Sequence, residues 1–336
     1  MPAAAARKSS PAIEAREHFI PSLDKGITVH LWEKRPRGKR RFGPEGTLLL
    51  VHGRVAPGPV AFDVRVPGYS WMDYIASRGF DVFTLSIRGF GKSTWPQVMR
   101  GDPAGKPPAV RGKEAVRDIA AAVRYIRERR EVENISILGR SWGTTLSPAC
   151  AAGNPEWVRK LVLYAPYYAY DDVRRRAMYE DPARPGVFDA RRGAWMWNTR
   201  ENMERRWWGH IPGTAHHKWR EPRVVEAYWK ALLAGDPEGA RRRPPSFRLP
   251  NGSLADLYDR ASNIPLYDAA KVVCPVLLIR GTQDGASADP EALGLFHALR
   301  NSWGKRYVIL EDGTHFMELE KRRLELLGEV QSFLEG

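Results

Sequence analysis

The sequence predicts an α/β fold built on a mostly parallel, doubly wound sheet with an inserted helical cap. Three observations carry that expectation. Apolar runs of strand length alternate with helical periods; the alternation breaks at about Tyr167 and resumes near Ala270; and a Gly139-x-Ser141-x-Gly143 turn joins an apolar run to a small-residue helix. The chain of 336 residues is long enough for one large domain with an insertion and a substantial core.

Taken in order, residues 1–13 are rich in Ala, Pro, Lys and Ser and are expected to be disordered. Arg16 to Pro21 and Ile27 to Glu33 flank Asp24-Lys25-Gly26 and read as a hairpin that opens the sheet with antiparallel strands. Lys34, Arg35, Arg37, Lys39, Arg40 and Arg41 read as an exposed loop. Six short apolar runs then suit strands covered on both faces: 47–51, 81–85, 135–138, 161–164, 276–279 and 307–310. Between them lie helical patterns at Ser70 to Ser77, Glu114 to Arg130, Ser141 to Ala152, Pro290 to Leu299 and Met317 to Leu334. The second has the clearest period, with Val116, Ile119, Ala120, Val123 and Ile126 on one face. Sites in such sheets lie beyond the carboxyl ends of the strands.

The boundaries expected are a core in two parts, 14–166 and 270–336, around a helical cap at 167–269. The cap is rich in Arg and Trp, with helical pieces at Arg191 to Trp208 and Pro222 to Leu233, and Gly235 to Pro250 reads as a solvated loop. No internal repeat is evident.

Composition narrows the function. Hydrophobic content of 43% without a long apolar run argues against a membrane span. The start of the chain lacks the features of a secretory signal, which points to the cytoplasm. Cys150 and Cys274 suit buried thiols and imply neither a disulfide framework nor a cysteine metal site. The net charge of +14 reads as a hydrated surface compatible with an acidic small substrate; no nucleic-acid module accompanies it. No metal-ligand spacing is present, His216-His217 included. Gly89-Phe90-Gly91-Lys92-Ser93 lacks the glycine spacing of a phosphate loop.

The chemistry centres on Ser141. A serine hydroxyl needs a base to take its proton and a third group to orient that base. His315, after the last apolar run, and Asp284, after the one before it, fill those roles in the chain order Ser, Asp, His. Asp171 or Asp172 is the rival carboxylate, and Asp289, beside Pro290, reads as a helix cap. Backbone N–H groups must face the developing oxyanion. Arg54, in the His52-Gly53-Arg54 turn, and Trp142 are the expected pair, with His52 supporting the turn. The Arg54 guanidinium also reaches toward the pocket and favours a substrate carboxylate. Trp195, Trp197 and Trp207 are candidates for an apolar substrate wall, with core packing as the alternative.

Together, His52-Gly53, Arg88-Gly89-Phe90-Gly91-Lys92-Ser93, Gly139-Arg140-Ser141-Trp142-Gly143, Gly281-Thr282-Gln283-Asp284 and Gly313-Thr314-His315 resemble the α/β-hydrolase superfamily. Ile87 stands where many members have Asp, and Pro148 is expected to interrupt the helix after the serine. The resemblance implies a capped serine hydrolase of a small-molecule carboxylic ester, working through an acyl-enzyme without a cofactor. Hydrolysis of a carbon–carbon bond, acyl transfer and a non-catalytic receptor are the alternatives. A serine nucleophile argues against the epoxide hydrolase and haloalkane dehalogenase branches. The elbow and cap placement are similar to monoalkyl phthalate hydrolases and, more distantly, meta-cleavage product hydrolases, which implies an anionic, aromatic substrate, a monoester of an aromatic dicarboxylic acid. Oligomeric state is not legible in the sequence.

Overall fold

The computed structural model describes residues 11–336. Residues 1–10 of the segment expected to be disordered lie outside the described residues, and Ile13 already belongs to the first strand. That strand, β1 (Ile13–Pro21), pairs antiparallel with β2 (Thr28–Pro36) across the Asp24-Lys25-Gly26 turn. Both strands outrun the expected hairpin. Lys34 and Arg35 therefore lie in β2 rather than in an exposed loop. Lys34 Nζ reaches Asp63 at 2.6 Å and Asp73 at 2.7 Å, while Arg35 is buried against Glu14 and Glu33. Carboxylates on neighbouring elements let the strand continue through its basic residues. Arg37, Lys39, Arg40 and Arg41 are exposed, as the charge run suggests.

The chain then builds β3 (Thr47–Val51), α1 (Gly58–Phe62), α2 (Trp71–Ala76), β4 (Asp81–Ser86), α3 (Gly112–Arg130), β5 (Ile135–Arg140), α4 (Gly143–Gly153) and β6 (Val158–Tyr164). Every residue of β3, β4 and β5 is buried, which explains their unbroken apolar runs. In α3 the face with Ile119, Val123 and Ile126 packs inward. Pro148 does not interrupt α4. It sits in the second turn, where it forgoes a single backbone bond.

The segment between β6 and the next sheet strand is an insert, and it is not purely helical. It holds α5 (Val173–Ala177), β7 (Glu180–Asp181), β8 (Arg184–Phe188), β9 (Trp195–Thr199), α6 (Arg200–Trp208), α7 (Pro222–Ala234), α8 (Pro237–Ala240), β10 (Ser246–Pro250) and α9 (Gly252–Ala261). The helix expected from Arg191 is confined to α6. Before it, Gly193 turns with φ of +63° against the Pro103 carbonyl, and β9 pairs with β10. The expected loop at 235–250 is largely ordered because Asp236 grips Arg248, with Arg248 Nη2 donating to Asp236 Oδ1 at 2.8 Å.

The sheet is completed by β11 (Val276–Gly281), α10 (Asp289–Ala298), β12 (Lys305–Leu310) and α11 (Arg323–Glu335). The last expected helix is shorter than its apolar period: a separate turn at Met317–Leu319 precedes α11, and Glu318 and Glu320 are both buried. The strand order is β1-β2-β4-β3-β5-β6-β11-β12, parallel from β4 onward. From β3 the chain goes to β4 on one side and to β5 on the other, so β3 and β5 flank a reversal point where such sheets open a crevice. Among the described residues, no helix is long and apolar enough to cross a membrane.

Candidate active site

At the end of β5 the backbone turns so sharply that Ser141 adopts φ of +55°, a left-handed conformation that a side-chain-bearing residue rarely holds. Its flanks require glycine. A Cβ on Gly139 would sit 2.3 Å from the Gly143 carbonyl oxygen, and one on Gly143 would sit 2.5 Å from that of Val51. The Ser141 N–H donates to the Tyr164 carbonyl at 2.9 Å, fixing the turn to β6.

The loops after β11 and β12 bring Asp284 and His315 to the same spot. His315 Nε2 lies 2.8 Å from Ser141 Oγ, and its Nδ1 lies 2.9 Å from both carboxylate oxygens of Asp284. Asp284 Oδ1 also accepts from the N–H groups of Ala286 and Ser287. Burial alone would raise the Asp284 pKa, but its electrostatic interaction and hydrogen bond with His315, with lesser help from His210 and Ser287, hold it below the usual carboxylate value. An ionised Asp284 accepts the Nδ1 proton, which leaves Nε2 as the acceptor for the serine hydroxyl; the tautomer follows from this network.

The other carboxylates are engaged elsewhere. Asp172 caps α5 and accepts from Tyr170, and Asp171 pairs with Arg176. Asp289 does not cap its helix: it binds Arg280 and accepts from the Tyr307 hydroxyl at 2.9 Å.

His52 braces the turn after β3. Its Nδ1 donates to the Gly53 carbonyl at 2.7 Å and its Nε2 accepts from the Ile87 N–H at 3.0 Å, so Ile87 contributes its backbone where many family members place Asp. Burial takes the His52 pKa down to about 4, keeping the ring neutral. The brace sets Gly53 against the serine, where a Cβ would stand 3.0 Å from Ser141 Cβ. Among the described residues, the N–H groups of Arg54 and Trp142 have no protein acceptor.

Several neighbours escaped the sequence reading. Arg140 is buried, with Nη2 donating to the His315 carbonyl at 2.9 Å and Nε against Glu318 at 2.5 Å. The Tyr167 hydroxyl lies 3.4 Å from Ser141 Oγ, and its ring is nearly parallel to the imidazole of His315. From the insert, His210 stacks on His315 with centroids 5.5 Å apart; burial lowers its pKa to about 4. The place of Tyr167, just after the strand beside β5, was a usable signal. His210 offered none.

The tryptophans fit the packing alternative. Trp207 is 0% exposed and so borders no water-sized space; it stacks on Phe316 and donates to Glu320 Oε1 at 2.8 Å. Trp195 and Trp197 meet edge to face near the Arg248 guanidinium.

Comparison with known proteins identifies the architecture. A family model described as alpha/beta hydrolase fold matches residues 46–321. Esterase EstD of Thermotoga maritima is 27% identical over 132 residues, 38% of this chain and 29% of that protein, so the chain spans under a third of that relative's length. Among solved structures, the enol-lactonase from Burkholderia xenovorans LB400 superposes with a TM-score of 0.62 at 17% identity, covering 95% of this chain and 100% of that one. A thermophilic esterase from Thermogutta terrifontis gives 0.61 at 16% identity, covering 95% and 98%. A laboratory-evolved potato epoxide hydrolase gives 0.65 at 18%, covering 96% and 99%. These likenesses concern the fold. With the family model spanning most of its length, the chain belongs to the alpha/beta hydrolase fold family.

Proposed function

We propose that the protein is a serine hydrolase that cleaves a carboxylic ester of a small molecule through an acyl-enzyme. The observation that carries this reading is the continuous line of contacts from Ser141 Oγ through His315 to Asp284. As Ser141 Oγ attacks the ester carbonyl, His315 Nε2 takes its proton, and the ionised Asp284 stabilises the imidazolium that results. The N–H groups of Arg54 and Trp142 receive the oxyanion. His315 then gives its proton to the departing alcohol. Water repeats the sequence on the acyl-enzyme, and the acid is released. Each step uses protein groups and water alone.

The strain at Ser141 supports the same reading, because a left-handed serine between obligatory glycines serves to present a hydroxyl. In the finer form of the reading the ester is a monoester of an aromatic dicarboxylic acid, a suggestion that rests on the likeness of elbow and cap to enzymes acting on such acids. The test is Ser141→Ala, which should reduce ester turnover by about 10³-fold or more while the melting temperature holds. Wild-type turnover in that variant would refute the assignment. Mass spectrometry of a quenched wild-type reaction should also find the acyl group on Ser141.

A further inference from the structure

Buried arginines in this protein have carboxylate partners. Arg88 binds Asp118, Arg140 binds Glu318 and Arg260 binds Glu291. Two partly buried arginines near the serine break the pattern: among the described residues, neither Arg54 nor Arg206 forms an ion pair with a carboxylate. Arg54 Nε makes only a long contact, 3.4 Å, to Ser253 Oγ, and Arg206 Nη1 is buried without any hydrogen-bond partner.

The two guanidinium groups share surroundings. The charges that bear on Arg54 are those of Arg206 and Arg192, and the phenols of Tyr167 and Tyr179 neighbour both Arg54 and Arg206. Tyr167 is the residue whose hydroxyl lies 3.4 Å from Ser141 Oγ. Burial, reinforced by the charge of Arg206, lowers the Arg54 pKa to about 9, as expected for like charges held together away from water. Enclosed cations without partners are costly, and a guanidinium fork matches a carboxylate in shape.

We propose that Arg54 and Arg206 form a carboxylate subsite beside Ser141, so that the preferred substrate is an ester carrying a second, ionised carboxyl group. The proposal rests on the ester-hydrolase reading and specifies its substrate class. One carboxylate between the two forks supplies the missing counter-charge through charge-assisted hydrogen bonds. Arg54 then serves twice: its N–H faces the ester carbonyl while its side chain holds the free acid, which sets the spacing between the two groups. Arg54 follows β3 and Arg206 lies on α6, so the bound anion also ties the insert to the sheet.

The experiment compares monoethyl glutarate with ethyl valerate, and monoethyl adipate with ethyl hexanoate, by acid release in a pH-stat. Wild type should favour at least one acid ester over its neutral partner by about tenfold or more in kcat/KM, and Arg206→Met should reduce that ratio by about 10- to 100-fold, mainly through KM. Arg206→Lys, which keeps charge but loses the fork, should fall between. Calorimetry supplies a readout free of turnover: the Ser141→Ala protein should bind adipate, and the Ser141→Ala/Arg206→Met protein should bind it at least about tenfold more weakly. No acid preference in wild type, an unchanged ratio in Arg206→Met, or equal adipate binding by the two Ser141→Ala proteins overturns the subsite. Absence of hydrolysis of all four esters counts instead against the ester reading, while the calorimetry still decides on the anion.

Discussion

Arg140 joins the serine turn to the histidine loop: its Nη2 donates to the His315 carbonyl at 2.9 Å while its Nε faces Glu318 at 2.5 Å. The residue immediately before Ser141 thus holds the backbone of His315, 175 positions further along the chain. Removing the guanidinium leaves Glu318 as an uncompensated charge in the core. Arg140→Met is expected to lose about 3–5 kcal/mol in denaturant unfolding, and Arg140→Met/Glu318→Gln to recover most of it. Turnover should remain depressed in the double variant, because the tie to His315 is still missing.

Asp284→Asn tests the orienting carboxylate. An amide cannot stabilise the imidazolium as a carboxylate does and favours the wrong tautomer. A fall in kcat on the order of 10³- to 10⁴-fold with little change in KM is expected in steady-state kinetics. A loss confined to KM would assign Asp284 to binding instead.

Gly139→Ala tests the turn itself. The added methyl would meet the Gly143 carbonyl oxygen at 2.3 Å and its carbonyl carbon at 2.7 Å, backbone atoms of the turn that carries Ser141. A destabilisation on the order of 3 kcal/mol should appear in thermal or denaturant unfolding. Activity should fall more than stability, because a shift of the hydroxyl by a fraction of an ångström already spoils the line of attack.

Glu320 gives a pH signature. Burial raises its pKa to about 7, against hydrogen bonds from Thr314 and Trp207 that favour the ionised form. The folded protein therefore keeps a proton that the unfolded chain releases near its ordinary value. This group's contribution is complete below about pH 4, falls as pH rises toward 7 and then levels off, a loss of about 3 kcal/mol. Glu320→Gln keeps the acceptor oxygen without a titrating proton. Across pH 5 to 8 its melting temperature should decline less than that of wild type; parallel curves would contradict the raised pKa.

The sheet and the three residues of the proposed triad were readable because each is written locally. Strands buried on both faces need unbroken apolar runs, and a hydroxyl raised on a left-handed turn needs Gly139 and Gly143 beside it. The insert was harder. Its β9–β10 ribbon depends on Asp236 meeting Arg248, and a pairing between strands more than 45 residues apart leaves no periodic trace in either segment. Lys34 and Arg35 misled for the same reason, since the carboxylates that let a strand absorb them are remote in sequence. Arg206 and His210 sit among other polar residues of the insert, and only the folded chain reveals them beside the serine's neighbours.

Ser141 is only 3% exposed. A residue this enclosed is shielded from casual encounter: in the proposed reaction the ester reaches it past the side chains around it, and the acid formed leaves by the same route. Bulky esters will therefore be limited by admission rather than by bond cleavage, and varying the alcohol's leaving ability should matter least for the largest of them.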